Sequence, residues 1–246
     1  MTTGAVELVI IGIASFLTAV LSAVAGLGGG LILLVVLAQF FTPLVAIPLQ
    51  SAIQFAANGS RAILVRGDIS WPAVGWSTLL VLPGSLLGVR LATALPTDVL
   101  RVLLALFVLV VGWRPSLLRW RGGRPLPARA MAPVGGVAGF INATVGASGP
   151  FTAPFFKAVT AGHVAYVATS AASQVIAHTA KLTAYLFADF SLLDHLDVIA
   201  VGVVAVTLGS RVGTNLLGRA EPAQLETVFR VVLTALALRL IVGAVW

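Results

Sequence analysis

Cysteine is absent from this chain, which excludes a disulfide framework, a thiolate metal site and a thiol nucleophile, and leaves the redox compartment unread. Charge is scarce too. Only 9% of the 246 residues are Asp, Glu, Lys or Arg, and the acidic ones number eight. Asp68, Asp98, Asp189, Asp194, Asp197, Glu221 and Glu226 fall in predicted turns or at the ends of apolar segments, and Glu7 lies near the N-terminus. No buried acidic pair is on offer for a cation site or a carboxylate proton relay. The N-terminus lacks a basic stretch, and its apolar run leads into glycines instead of a cleavage site, so the first segment is expected to be retained. His163 and His195 have no second ligand at metal spacing, so neither a metal nor a cofactor is expected. Gly146-Ala147-Ser148-Gly149-Pro150 does not give Gly-x-Ser-x-Gly, and no acid at depth could orient a histidine. An intramembrane hydrolase, and with it an enzyme, is not the expected class.

What the chain has instead is hydrophobicity: 59% of residues are hydrophobic and the mean hydropathy is +1.07. That is the composition of an integral membrane protein, whose main partner is the lipid bilayer. Apolar stretches near the roughly 20 residues needed to cross about 30 Å of hydrocarbon run over 5–25, 49–66, 72–92, 99–113, 165–187, 196–217 and 225–245. Shorter pieces at 31–46, 134–146 and 150–162 flank glycine-rich breaks. The net charge of +7 is concentrated between Arg114 and Arg129, with Arg119, Arg121 and Arg124 between. A short basic loop of this kind marks the cytoplasmic side, and nucleic-acid binding is not expected.

The pattern is stated twice. A glycine-broken segment (Gly26-Leu27-Gly28-Gly29-Gly30) is followed by a polar stripe (Gln54, Asn58, Arg61) and then by Gly84-Ser85-Leu86-Leu87-Gly88. In the second half these become Gly146-Ala147-Ser148-Gly149-Pro150, then Gln174, His178 and Lys181, then Gly209-Ser210-Arg211-Val212-Gly213. Each stripe residue lies 120 positions after its counterpart. The turn near Arg61, Arg66 and Asp68 is basic, whereas the equivalent turn from Asp189 to Asp197 has neither Lys nor Arg. The two turns are therefore expected on opposite faces, and the halves inverted about an axis in the membrane plane. The expected fold is an all-α membrane protein, a polytopic helix bundle of two inverted-topology repeats with glycine-broken or re-entrant helices. Residues 1–113 form the first repeat, 114–133 a cytoplasmic basic linker and 134–246 the second repeat, with both termini external. Trp71, Trp113 and Trp246 stand at span ends as interface anchors.

Backbone at membrane depth must be hydrogen-bonded internally, so the glycine breaks belong inside the protein or along a cavity. A break also creates a helix N-terminus with free N–H groups that attract anions; close packing of helices by small residues is the alternative. The stripe residues stand at i, i+4 and i+7 and so share a helix face. Gln54, Asn58, Gln174 and His178 are too deep to reach the interface, and either bind a substrate or bond between helices. Arg61 and Lys181 stand near the ends of their helices, where each either faces the interior or snorkels to the interface. Amides, a histidine and two cations without an anion suit an anionic substrate. If protons are coupled, His178 is the titrating group at depth; a structural histidine is the other reading.

The Gly-Leu-Gly-Gly-Gly break at 26–30, its second copy at 146–150, the two Gly-Ser-x-x-Gly segments and the basic central linker make the chain resemble the TauE/SafE family of membrane permeases, the sulfite exporter family. It departs from the family in having Leu34 and Val35 where a proline usually follows the first glycine run; the second half keeps Pro154. The resemblance implies a transporter of the prokaryotic inner membrane carrying sulfite, a related sulfur oxyanion or an organosulfonate. On that reading Gly26, Gly28, Gly29, Gly30, Gly146, Ser148 and Gly149 bring two helix ends together, and Gln54, Asn58, Gln174 and His178 bond the anion. Arg61 and Lys181 attract it at the two mouths. An anion channel, or a membrane scaffold for a partner protein, are the alternatives.

Overall fold

The computed structural model describes residues 3–25, 29–114, 125–216 and 222–245; over these the chain forms helices and no strand. The linker arginines Arg119, Arg121 and Arg124, with Glu221 and Trp246, lie outside the described residues. The helices are α1 (Ala5–Ala25), α2 (Gly29–Leu37), α3 (Pro43–Leu64), α4 (Trp71–Thr78), α5 (Val81–Ala94) and α6 (Thr97–Trp113), followed by α7 (Met131–Val145), α8 (Gly149–Val159), α9 (His163–Leu186), α10 (Leu196–Asn215) and α11 (Pro222–Val245). Boundaries repeat with the stripes: Val145, Gly149 and His163 each stand 120 residues after Ala25, Gly29 and Pro43.

Local chemistry sets these ends. Pro43 opens α3 after an extended Thr42, at the position where a missing N–H costs nothing. Pro150 does the same in the first turn of α8. α7 stops at Gly146, whose φ of +84° is left-handed, a conformation glycine adopts without the steric penalty of a side chain. The segment expected as one span over 72–92 is two helices, α4 and α5, bent by 43°. Among the described residues α1 and the α10 region (Leu193–Asn215) are long and apolar enough to cross a membrane singly, and the bent α4–α5 pair is a third candidate. α3 and α9, with 22 and 24 residues, reach about 33 Å or more but are diluted by their polar stripes.

The outside is greasy and the inside partly polar, the reverse of a water-soluble domain. On α1, Val6, Val9, Ile13 and Leu17 are 58–74% exposed and recur on one face. The adjoining face of α1, with Gly12, Phe16, Ala19 and Ala23, packs on α10, as α7 does on α5, and α3 packs on α9 while α6 packs on α11. Both Gly-Ser-x-x-Gly segments lie in such contacts. A Cβ on Gly84 would strike the Gly136 carbonyl and one on Gly209 the Phe16 carbonyl, and Gly88 and Gly213 face Phe140 and Val20 as closely. Ser85 and Ser210 hydroxyls donate to the carbonyls of Gly139 (3.5 Å) and Ala57 (3.3 Å). These motifs hold helices at backbone contact, the usual membrane use of small residues.

Candidate functional site

The stripe helices α3 and α9 face each other at the centre of the bundle. Both basic residues expected near helix ends are inside: Arg61 is 2% exposed and Lys181 0%. Neither snorkels.

Lys181 Nζ donates three hydrogen bonds of 3.0 Å, to Gln50 Oε1, Asn142 Oδ1 and the Gly146 carbonyl. Three is the full donor capacity of an ammonium. Gln50 Nε2 in turn donates to the Gly30 carbonyl at 3.2 Å. A continuous chain therefore runs from the first glycine break through Gln50 and Lys181 to the second. The breaks also meet through packing, since a Cβ on Gly146 would strike Leu34 of α2 and one on Gly30 would press on the Gln50 and Gln54 amides. Gly29 lies against the Thr18 carbonyl of α1. Gly26 and Gly28 fall outside the described residues.

Arg61 is held differently. Asn58 Nδ2 donates to the Gln54 carbonyl (2.9 Å) and approaches Gln54 Oε1 (3.5 Å), which turns Asn58 Oδ1 toward Arg61 Nη1 at 3.3 Å. The Nε and Nη2 donors of Arg61 and the Nε2 donor of Gln54 are buried without a partner. Nε and Nη2 form one edge of the guanidinium, the two-pronged donor that matches two oxygens of an oxyanion. Among the described residues no carboxylate forms a salt bridge with Arg61, and no described carboxylate side chain is buried. Leaving two donors of a buried cation unpaired is costly, and an oxyanion is one partner whose paired oxygens match this edge.

The remaining expected residues divide. His178, buried, meets Ser51 Oγ of α3 through Nδ1 at 3.4 Å. Gln174 is half-buried and lines a separate pocket of about 20 Å³ with Ser148, Thr152, Ser77 and Ser173, room for about one water. The Ser148 hydroxyl, 1% exposed, has no partner there. Gly149, the first residue of α8, has open space where a side chain would be.

Gln50, Ser51 and Asn142 were not singled out in the sequence. Gln50 was within reach, because it stands four residues before Gln54 and extends the stripe by one turn. Asn142 stands one turn before the second break, but a lone amide in an apolar run carries no such periodic signal.

The chain matches, over residues 11–240, the family described as Sulfite exporter TauE/SafE. No curated protein and no solved structure matches it. A family match over nearly the whole length, on an all-helical chain with apolar spans and a buried unneutralised cation, leads to one conclusion: this protein belongs to the TauE/SafE sulfite exporter family of membrane transporters.

Proposed function

We propose that this protein is a secondary transporter that moves sulfite, or a related sulfur oxyanion or organosulfonate, across the cell membrane by alternating access, and that Arg61 is the group that binds the anion. The observation carrying this is the Nε–Nη2 edge of Arg61, buried and without a partner. Sulfite and sulfonates present pairs of oxygens at the spacing a guanidinium fork accepts. Gln54 and Asn58 orient that fork, and the free Gln54 Nε2 adds a donor on the same helix face. The small pocket at Ser148 and Gln174, which also takes Ser77 and Val81 from the first half, lies beside the N-terminus of α8, where free N–H groups favour negative charge, and would have to widen in another conformation to pass the anion.

Alternating access rests on two inverted repeats, residues 1–113 and 134–246 joined by the 114–133 linker. Two features support this: helix boundaries that recur after 120 residues, and reciprocal pairing in which α1 packs on α10 as α7 packs on α5. Rocking one repeat against the other about the α3–α9 contact would open the Arg61 side and the Ser148 side in turn. The basic linker puts its end of the bundle in the cytoplasm and both termini outside. In the proton-coupled form of this reading, His178 carries the proton.

Uptake of labelled sulfite into proteoliposomes under an imposed pH gradient tests the proposal, with thiosulfate, sulfate and a small sulfonate as competitors. Saturable, competable flux is expected. Flux that rises linearly with concentration would instead favour a channel, and no flux of any of these anions through folded protein would contradict the proposal.

A further inference from the structure

Lys181 is the most deeply buried cation among the described residues and makes no salt bridge. Its three partners are neutral oxygens from three places: the α3 side chain of Gln50, the α7 side chain of Asn142, and the main chain of Gly146 just past the end of α7. The carbonyl at a helix C-terminus carries the negative end of the helix dipole. Tyr185 adds to this, its hydroxyl donating to the Ala143 carbonyl at 3.0 Å and tying α9 to the same helix end. Broken helices whose C-terminal carbonyls converge with side-chain amide oxygens are how membrane transporters hold small monovalent cations.

We infer that Gln50 Oε1, Asn142 Oδ1 and the Gly146 carbonyl form a monovalent-cation site that the chain fills with its own Lys181 ammonium, and that a free alkali cation enters only when this side chain is removed. The tether matters. A bound Na+ can leave and so can couple to transport, whereas a charge attached to α9 stays in the site and holds the two glycine breaks together through Gln50 in the absence of any ion. Shortening Lys181 to alanine removes the charge and leaves the volume of its stem for waters, which would complete the shell of an ion held by three carbonyl oxygens.

The test reads stability and does not depend on which anion is carried. Purified wild type, Lys181→Ala and the double variant Lys181→Ala/Asn142→Ala are melted in detergent, in choline chloride and in LiCl, NaCl or KCl at equal ionic strength. The wild type is expected to melt at one temperature in all four salts. Lys181→Ala is expected to melt lower in choline and to regain about 5 °C, saturably, with at least one alkali cation; the double variant is expected to lose that gain. A wild type that melts higher in an alkali salt than in choline would overturn the inference. So would a Lys181→Ala variant that melts alike in all salts or folds in none, or a double variant that keeps the gain.

Discussion

At the scale of single residues, the two buried cations differ in how they are satisfied, although they occupy equivalent places in the stripes. Lys181 has an oxygen for each of its three hydrogens, while Arg61 shares one nitrogen with Asn58 and leaves Nε and Nη2 open. Charge-assisted hydrogen bonds contribute about 1.5–3 kcal/mol each. Loss of the fork in Arg61→Gln is therefore expected to weaken sulfite binding by at least about 10- to 100-fold, read as a rise in KM or Kd. Arg61→Lys keeps the charge but not the two-pronged geometry, and is expected to recover only part of the loss. Gln50→Leu should act on stability instead, because it strips Lys181 of one acceptor and the Gly30 carbonyl of its donor. A cost of about 1–3 kcal/mol, seen as a lowered Tm in detergent, is expected; an unchanged Tm would show that the link between the breaks carries no weight. The sequence displayed the stripes and therefore Arg61 and Lys181, but their surroundings come from α3, α7 and α9 meeting in space. Periodicity along one helix cannot show that Asn142 stands opposite Lys181.

At the scale of helices, glycine has two jobs that sequence spacing does not separate. Gly84, Gly88, Gly209 and Gly213 bring backbones together, so Gly84→Ala must push α5 away from the Gly136 carbonyl of α7. Overpacking of this kind costs about 1–3 kcal/mol, whereas Gly75→Ala on α4, where a Cβ meets open space, should leave Tm unchanged or slightly raised. If the two variants melt alike, the packing account of the motif fails. Gly146 serves as a turn: its φ of +84° and its contact with Leu34 exclude a side chain twice over. Gly146→Ala is expected to destabilise by more than the 1–2 kcal/mol of the left-handed backbone alone. The α4–α5 bend has a sequence signal in Pro83, which offers no N–H to the Leu79 carbonyl, but hydropathy passes over it because Leu79 and Leu80 are apolar like their neighbours. A hydropathy run measures thickness, not straightness.

At the scale of the whole molecule, composition pointed to a bilayer, and exposed apolar stripes such as Val6, Val9, Ile13 and Leu17 agree with it. Inverted repeats make a topological prediction that the absence of cysteine renders simple to check. Asp68→Cys and Asp194→Cys introduce single thiols at exposed turns, the first expected in the cytoplasm and the second outside. An impermeant thiol reagent should label Asp194→Cys in intact cells and Asp68→Cys only after permeabilisation. Labelling of both from one side would refute inversion. Proton coupling through His178 predicts that His178→Asn transports without responding to a pH gradient, and a variant that still concentrates sulfite along that gradient would assign the proton elsewhere.

The central claim is that a sulfur oxyanion is carried on the Arg61 edge, and the most direct measurement is initial sulfite flux in proteoliposomes for wild type and Arg61→Gln side by side, each shown to be folded. The account predicts saturable flux in the wild type and, in the variant at sub-saturating sulfite, a fall of about 10-fold or more. Equal flux in the two proteins would contradict it.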